Sequence, residues 1–325
     1  MSSLKNKKIL FIGIGFYDYE QFIKAELIKQ GAEVSYFTER GATRFAGLKE
    51  KWYKFRGLDQ KILYKNHQND ILENIKGKKF DYVFVIKGGL LARRFIESLK
   101  MKYPSTKFIM YQWDSLNRVD GIHDIIGYFD RVLSFDPKDC AENPNLIFRP
   151  LFHREKVFDE NCSANSLYDI SFIGWLHNER LQFINAFVAN LKNNRKCYVF
   201  LYTGVYTYIK HLLNSSVKYL AFKTMKYSKC RSIMLNSNCI LDLPHGLQTG
   251  LTMRAVESVG FRKKLITTSK DIINYDFYCK DNVFILNENY SHAELESFIN
   301  SPYKNLPNEI YESYQVTSWI NDIFS

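Results

Sequence analysis

The first half of the chain alternates short apolar runs with longer amphipathic segments. The runs are rich in β-branched and aromatic residues, which is typical of buried strands. Strands are predicted at 8–14, 32–38, 81–87, 107–112 and 130–135. Between the first two, 19–31 carries apolar residues at helical spacing and ends at Gly31, and another helix is predicted near 90–102. Alternation of this kind predicts a parallel sheet wrapped in helices, so residues 1–150 are expected to form a Rossmann-like α/β domain.

The pattern is interrupted at 136–169, where three prolines and several Asn and Asp leave no sustained period. Such a composition is typical of a segment between domains. The alternation then restarts. Strands are predicted at 169–174, 197–203, 239–244, 263–268 and 283–286, and helices at 178–194, 251–260 and 311–324. A chain of 325 residues is also long enough for two hydrophobic cores. The sequence therefore predicts two Rossmann-like α/β domains that face a central cleft, the second spanning 151–305.

The composition is that of a folded protein with a strong positive charge. Apolar residues make up 46% of the chain, and 45 Lys and Arg against 34 Asp and Glu give a net charge of +11. This excludes a disordered chain and indicates an anionic partner. The basic residues lie in short groups such as Lys49, Lys51, Lys54 and Arg56, and there is no basic-aromatic signature of nucleic-acid binding. Nucleic acid is therefore not expected as a partner.

The sequence also favours a cytoplasmic protein. The apolar run 9–16 is short, is broken by Gly13 and Gly15 and lacks a cleavage site, so it is interpreted as the first strand. No apolar stretch reaches the roughly 18 residues that cross a bilayer, so any membrane contact is expected to be peripheral, at the inner face of the cytoplasmic membrane. The six cysteines show no CxxC pair, as in reduced cytosolic proteins. A dinucleotide fingerprint at 13–18 fails, because Asp18 takes the place of its third glycine.

Residues 243–268 carry more polarity than a core segment would. A predicted strand ends at Pro244, a loop contains Gly246 and Gly250, and a helix follows. Backbone N–H groups at a helix N-terminus bind anions, so a phosphate is expected there. Arg254 and Glu257 are three residues apart on that helix and are expected to face the same side, with the carboxylate suited to sugar hydroxyls. The alternative is a capping loop with a helical ion pair.

The segment from Glu257 to Thr268, ESVGFRKKLITT, resembles a motif of nucleotide-sugar-dependent glycosyltransferases of the GT-B fold. The likeness is to bacterial capsule, lipopolysaccharide and CgeB-like enzymes, in which a helix with a glutamate precedes a small-residue turn and a strand. It implies that Glu257 holds the ribose of the donor. It further implies that the donor phosphates lie along Gly250, Leu251, Thr252 and Met253. His245, Gly246 and Gln248 are further candidates for contact with the donor phosphate or sugar.

Two other segments carry the same resemblance. DISFIGWLHNERLQFI at 169–184 is similar to the strand and glycine loop that open the nucleotide domain, which directs Gly174 and Arg180 to the donor phosphates. LYTG at 201–204 is similar to the strand end beside the base and brings in Thr203 and Gly204. YQWDS at 111–115 and SFDPKD at 134–139 also match this type of enzyme. The position seven or eight before Glu257 holds Gly250 or Thr249 and no glutamate, so a retaining mechanism does not follow from the motif.

An inverting enzyme of this fold needs a catalytic base at a strand end of the first domain. Asp114, beside Trp113, is the first candidate and Asp18 the second, and for both the alternative is a helix cap. No Asp-x-Asp lies near a predicted strand end, so no metal or other cofactor is expected, and Arg254 or Arg180 would stabilise the leaving phosphate. Lone histidines such as His153 and His177 are interpreted as structural or solvated.

The resemblance implies an enzyme that passes a sugar from a nucleotide sugar to a growing cell-surface glycan or a lipid-linked oligosaccharide. Residues 306–325 are then expected to pack back on the first domain, as GT-B enzymes do. The basic group around Trp52, including Lys49, Lys51, Lys54 and Arg56, is expected to meet an anionic membrane. The alternatives are a nucleotide-sugar epimerase and a non-catalytic nucleotide-binding protein.

Overall fold

The computed structural model describes residues 4–15, 18–41, 46–155, 166–177, 179–192, 194–213, 218–246, 248–287 and 289–325. By the density of its internal contacts the chain divides into two compact units. The first unit is Met1–Pro150 together with Val316–Ser325, and the second is Leu151–Gln315. No helix among the described residues is both long and apolar enough to cross a bilayer.

The first unit is a parallel sheet covered by helices. Its strands are β1 (Lys8–Gly13), β2 (Glu33–Thr38), β3 (Tyr82–Ile86), β4 (Lys107–Gln112), β5 (Arg131–Ser134) and β6 (Leu146–Phe148). Its helices are α1 (Tyr19–Lys29), α2 (Ala46–Phe55), α3 (Lys65–Asn74), α4 (Arg93–Lys102), α5 (His123–Ile126), α6 (Pro137–Glu142) and α13 (Val316–Phe324). In the described part of this unit the strand order is β2-β1-β3-β4-β5-β6. The strand order therefore changes direction between β1 and β3: β2 lies on one side of β1, and the later strands extend from its other side.

The five predicted strands of this sheet are present because they are nearly continuous apolar runs. The central strands β1, β3 and β4 are buried from their second residue onward, as expected when helices cover both faces. The segment interpreted as a linker contributes α6 and β6, which the prolines concealed. Pro137 occupies the first turn of α6, where its missing N–H costs nothing, and Asp136 caps that helix.

The end of the chain belongs to two different units. The sequence predicts one helix at 311–324, whereas the structure has α12 (Asn308–Ser313) and α13, with a break at Tyr314 and Gln315. The apolar side of α13 is buried in the first unit, where the Trp319 ring lies edge-on to Tyr111 with centroids 4.7 Å apart. Burial of such a large ring fixes α13 to the sheet.

The second unit repeats the architecture. Its strands are β7 (Tyr168–Trp175), β8 (Cys197–Tyr202), β9 (Leu220–Ala221), β10 (Ser237–Asp242), β11 (Lys264–Thr267) and β12 (Val283–Ile285). Its helices are α7 (Arg180–Ala189), α8 (Val205–Leu213), α9 (Tyr227–Leu235), α10 (Met253–Gly260), α11 (His292–Asn300) and α12. Over the described residues the parallel order is β12-β11-β10-β7-β8-β9. The strand order thus changes direction between β7 and β10: β8 and β9 lie on one side of β7, and β10, β11 and β12 extend from its other side. The two six-stranded Rossmann-like sheets confirm the predicted α/β fold class.

His153 is a buried side chain that packs in the interior of the second unit. The side chain is fully buried, and its Nε2 lies 3.0 Å from the carbonyl oxygen of Tyr311. A Cβ atom placed on Gly260 would lie 2.6 Å from the Cβ of His153, so only glycine fits at that position of α10. The structural interpretation of this histidine therefore agrees with its surroundings.

The buried His153 predicts a loss of stability in mild acid. Burial lowers the pKa of His153 to about 4, while the unfolded chain binds the proton near pH 6.5. The contribution of the neutral ring is complete above about pH 6.5 and is lost as the pH falls towards 4, which amounts to about 3 kcal/mol. We expect His153→Gln to be less stable than the parent at neutral pH and to lose less stability on acidification.

Urea unfolding of the parent and of His153→Gln, followed from neutral pH down to about pH 4.5, measures this difference. His292→Gln, a change at an exposed histidine of α11, is the matched control and should follow the parent. A difference between parent and His153→Gln that stays constant with pH would show that the buried ring does not remain neutral.

Candidate functional site

The carboxyl ends of β7 and β10 form the candidate site of the second unit. These two strands are neighbours, and the chain leaves them towards opposite edges of the sheet. Ligands of open parallel sheets bind at such a switch point, because the two diverging loops leave a crevice there. The residues that follow both strands are therefore the first ones to consider.

Asp242, the last residue of β10, organises this edge. Its side chain is 0% exposed. The carboxylate accepts hydrogen bonds from the Thr252 hydroxyl at 2.7 Å and from the Thr267 hydroxyl at 3.3 Å, and it pairs with Arg254 Nη2 at 3.0 Å. A buried carboxylate of this kind is stable only with such partners. Sequence reasoning missed Asp242, because it reads as the polar end of an apolar strand.

Arg254 links the start of α10 to β7. Its Nη1 donates to the carbonyl oxygen of Ile173 at 2.9 Å, and its guanidinium lies 4.9 Å from the centroid of the Phe172 ring. A Cβ atom on Gly174 would lie only 2.9 Å from Arg254 Nη1. The glycine predicted to contact the donor therefore makes room for the arginine.

Arg180 reaches the same ring from α7. Its Nη1 donates to the carbonyl oxygen of Trp175 at 2.6 Å, its Nη2 donates to that of Leu243, and its guanidinium lies 5.6 Å from the centroid of Phe172. Burial and, to a lesser extent, the nearby charge of Arg254 together lower the pKa of Arg180 to about 10. Two guanidiniums thus share the ring of Phe172, with the carboxylate of Asp242 beside them. An anion bound there would offset their mutual repulsion.

The N-terminus of α10 lies beside this arginine pair. Thr252 caps the helix, since its Oγ1 accepts from the N–H of Ala255 at 3.3 Å while donating to Asp242. In the preceding loop, the Gln248 side chain donates to the carbonyl oxygen of Gly250 at 2.7 Å. Gly250 and Leu251 are buried, and Met253 begins the helix. The positive end of the helix dipole therefore adds to the charge of the two arginines.

Aromatic and imidazole rings border the site. Trp175 is exposed, and its ring meets Tyr202 edge-on with centroids 4.6 Å apart. The His177 ring lies parallel to Trp175 at 6.3 Å, and the His245 ring is 6.2 Å from His177. Flat exposed rings of this kind can stack on a base or a sugar. Sequence reasoning did not select Trp175, which reads as the end of a strand.

The remaining donor candidates of the second unit differ in their exposure. Thr203 is buried, and its N–H donates to the carbonyl oxygen of Ala221 at 2.8 Å. The next residue, Gly204, is exposed just after the end of β8. A Cβ atom on Gly204 or on Gly246 would meet nothing within 4 Å, so packing does not require either glycine.

Glu257, on α10, is buried beside Tyr227. Its side chain is 3% exposed and faces Tyr227, whose pKa is raised by burial and by the charge of Glu257. The guanidinium of Arg154 lies 3.8 Å from the centroid of the Tyr227 ring. Arg254 and Glu257 therefore contact different partners, although they are three residues apart on α10. The role of Glu257 at a ribose stays a prediction.

In the first unit, Asp114 follows the carboxyl end of β4. Its Oδ2 lies 2.6 Å from Lys87 Nζ, and its Oδ1 lies 3.5 Å from Arg118 Nη1. The short 3₁₀ helix that follows is preceded by Ser115 at the capping position, so Asp114 is not its cap. The ring of Trp113 is buried against Tyr19. Asp114 thus forms a network of charges at the strand ends.

A second acid, Glu39, holds the loop from which Lys87 extends. Its carboxylate is buried and accepts from the N–H groups of Gly88 at 2.7 Å and Leu90 at 2.9 Å. Burial raises the pKa of Glu39 to about 7. Lys87 and Gly88 both have positive φ angles, of 71° and 80°, so the two hydrogen bonds stabilise an unfavourable turn. Nothing in the sequence around Glu39 distinguishes it from the end of a strand.

Asp18 occupies the position before α1, yet its side chain makes no capping hydrogen bond there. The loop after β1 is held instead by Glu20, which accepts from the N–H groups of Ile14 at 2.7 Å and Gly15 at 3.0 Å. A Cβ atom on Gly13 would lie 2.8 Å from the Glu20 side chain. This packing explains the first glycine of the Gly-Ile-Gly sequence.

Solved structures with a similar fold include the glycosyltransferase AviGT4 of avilamycin A biosynthesis, at 10% identity, with a TM-score of 0.58 over 98% of this chain and 97% of that one. They also include the UDP-GlcNAc 2-epimerase of Methanocaldococcus jannaschii, in complex with UDP-GlcNAc and UDP, at 13% identity and a TM-score of 0.52 over 98% and 99%. The epimerase of Neisseria meningitidis bound to UDP-GlcNAc matches at 10% and 0.52 over the same shares. The chain therefore has the GT-B fold. No protein-family model and no curated protein matches its sequence.

Two glycines predicted to contact the donor are expected to respond differently to the same change. In Gly174→Ala the new methyl group meets Arg254 Nη1 at 2.9 Å and the Phe172 ring at 3.0 Å, so the arginine must move. We expect a loss of about 1 to 3 kcal/mol in the free energy of unfolding, together with weaker nucleotide binding. Gly204→Ala meets no atom within 4 Å and is the matched control.

Chemical denaturation and nucleotide titration of both variants test this prediction. Equal stability and equal nucleotide affinity of Gly174→Ala and Gly204→Ala would show that the space beside Arg254 is not needed.

Proposed function

We propose that this protein is a glycosyltransferase that moves a sugar from a nucleotide sugar to a glycan acceptor. The observation that carries the proposal is the arginine pair at the switch point of the second unit. Arg180 and Arg254 bring two positive charges to the Phe172 ring, and one carboxylate lies beside them. The diphosphate of a nucleotide sugar supplies the missing negative charge. The GT-B fold, shared with a glycosyltransferase, supports the same assignment.

In this proposal the arginines also take the place of a metal ion. Negative charge develops on the leaving diphosphate when the bond to the anomeric carbon breaks, and fixed guanidiniums at that point stabilise it. The N-terminus of α10 adds N–H donors and a favourable dipole. Glu257 would hold the ribose, and the edge formed by Trp175, Thr203 and Gly204 would receive the base.

The acceptor chemistry is assigned to the first unit. The acceptor hydroxyl attacks the anomeric carbon from the face opposite the diphosphate, so the configuration inverts. The carbon–oxygen bond breaks, the nucleoside diphosphate leaves, and Asp114 takes the hydroxyl proton. Asp18 is the second candidate for the base. Lys87 and Arg118 support the assignment to Asp114, because both hold the carboxylate at the ends of the strands.

The acceptor is proposed to be a growing cell-surface glycan, such as capsule or lipopolysaccharide, or a lipid-linked oligosaccharide. A surface on and after α2 supports this part of the proposal, because Leu48, Trp52 and Phe55 are exposed among basic residues. The basic residues of this surface are Lys49, Lys51, Lys54 and Arg56. Such a surface suits an anionic membrane and would place the protein at the inner face of the cytoplasmic membrane.

A nucleotide-sugar epimerase is the second candidate function. It is favoured by the two UDP-GlcNAc 2-epimerases of the same fold, whose similarity to this chain is close to that of the transferase. An epimerase would use the arginine pair in the same way and needs an acid and a base around one sugar carbon. A non-catalytic protein that only binds the nucleotide is the third.

A donor panel separates the three functions. UDP-, GDP- and CMP-sugars are incubated with the protein, with and without a membrane glycan extract, and nucleotide release and sugar identity are followed. A transferase releases nucleotide faster with acceptor, an epimerase converts the sugar without acceptor, and a binding protein does neither. The proposal predicts the first result. Sugar conversion without nucleotide release would replace it by the epimerase.

Asp114→Asn tests the proposed base. We expect turnover to fall about a hundredfold to ten-thousandfold with donor affinity preserved, because the amide cannot accept the proton. Asp18→Asn, at the N-terminus of α1, is the matched control. Near-normal turnover in Asp114→Asn with a large loss in Asp18→Asn would move the base to Asp18.

A further inference from the structure

The apolar side of α8 faces the solvent. Its residues Val205, Tyr206, Ile209, Leu212 and Leu213 are 56, 84, 50, 52 and 81% exposed. These positions are one, three or four residues apart, so they share one side of the helix. Tyr208, beside this side of the helix, is half-buried and packs against the core of the second unit, and its ring lies 5.1 Å from that of Phe222. A surface helix in a soluble domain normally turns its apolar side the other way.

The chain around α8 carries only positive charge. From Arg180 to Leu241 it has ten Lys and Arg and no Asp or Glu. Arg195 pairs with Asp169 and Glu296, and Arg231 pairs with Glu155, all of which lie outside this stretch. Lysines also border the helix. Lys210 lies on α8, and Lys218 and Lys223 flank the neighbouring strand β9; all three are exposed.

We propose that α8 lies in the interface of a bilayer that contains acidic phospholipid. An exposed apolar side bordered by lysines matches an interfacial helix, whose apolar residues enter the acyl boundary while its cations meet the lipid phosphates. A second copy of the chain is a poorer occupant, because the contact would bring two lysine-rich surfaces together. The surface differs from the one at α2, and the proposal does not depend on sugar transfer.

The position of α8 gives this contact a consequence for the second unit. The helix begins directly after Thr203 and Gly204, at the carboxyl end of β8. Contact through α8 would therefore hold this edge of the sheet at the lipid surface.

Vesicle flotation tests the proposal directly. The full chain is floated with phosphatidylcholine vesicles and with vesicles that contain about one third phosphatidylglycerol, at low and at high salt. Retention is expected only with the acidic lipid and should weaken as salt rises. The double variant Tyr206→Glu with Leu213→Glu should lower partitioning at least about tenfold, and Lys210→Gln should lower it about fivefold.

The matched control is the double variant Leu48→Glu with Phe55→Glu on the α2 surface. It should still bind acidic vesicles, because α8 is unchanged in it. Both double variants change exposed residues, and unchanged urea unfolding verifies their folds. Nucleotide titration of the α8 variant should match the parent, which separates a failure here from a failure of the proposed transferase.

Three results would overturn the proposal. The α8 variant could float like the parent while the α2 variant does not, which would move the contact to the first unit. The parent could fail to bind acidic vesicles at any salt concentration. Finally, a concentration-dependent dimer that only the α8 variant disperses, without vesicle binding, would make this surface an interface between copies.

Discussion

Two guanidiniums on one phenylalanine ring are the interaction on which the second unit depends. Arg180 and Arg254 approach Phe172 from different helices, and Asp242 is the carboxylate that makes their proximity possible. Around them, Thr252 caps α10 on the same carboxylate and Gly174 leaves room for Arg254. Two like charges at one ring repel each other, and a bound anion would reduce this repulsion. This electrostatic gain is the physical basis of the proposed function.

Buried acids have a corresponding role in the first unit. Glu20 accepts the N–H groups of the loop after β1, and Glu39 accepts those of the loop after β3. These two strands flank the switch point of that sheet. In both units, therefore, a carboxylate beside the strand ends fixes the loops that carry the candidate site residues. Backbone N–H groups that such an acid satisfies need no water, which allows the loops to be partly buried.

The fold was predictable because its signal is local. Apolar runs such as 81–87 and 107–112 are strands in any parallel sheet, and they fall within one residue of β3 and β4. Both arginines were also selected from the sequence, Arg254 from its place in the helix after a glycine-containing loop and Arg180 from the resemblance of 169–184 to the opening of a nucleotide domain. Their partners were not predictable. Arg254 donates a hydrogen bond to the carbonyl oxygen of Ile173, 81 residues earlier in the chain. In the first unit, Glu39 accepts one from the N–H of Gly88, and no local pattern relates residues so far apart.

The other omissions have physical causes of their own. The prolines near 137 and 144 concealed α6 and β6, because proline is as compatible with the start of a helix as with a linker. No helix was predicted at α8, because its apolar residues directly follow the apolar run of the strand predicted at 197–203; in the structure the apolar side of α8 is exposed. Asp242 and Trp175 each end a strand, and only the tertiary structure distinguishes a site residue from an ordinary strand end.

A crystal structure with bound nucleoside diphosphate tests the central claim most directly. UDP is the first choice, followed by GDP. The account predicts phosphate oxygens within about 3.5 Å of guanidinium nitrogens of Arg180 or Arg254, beside the N-terminus of α10. A nucleotide bound with its phosphates away from both arginines would contradict it, as would the lack of any binding by either nucleotide.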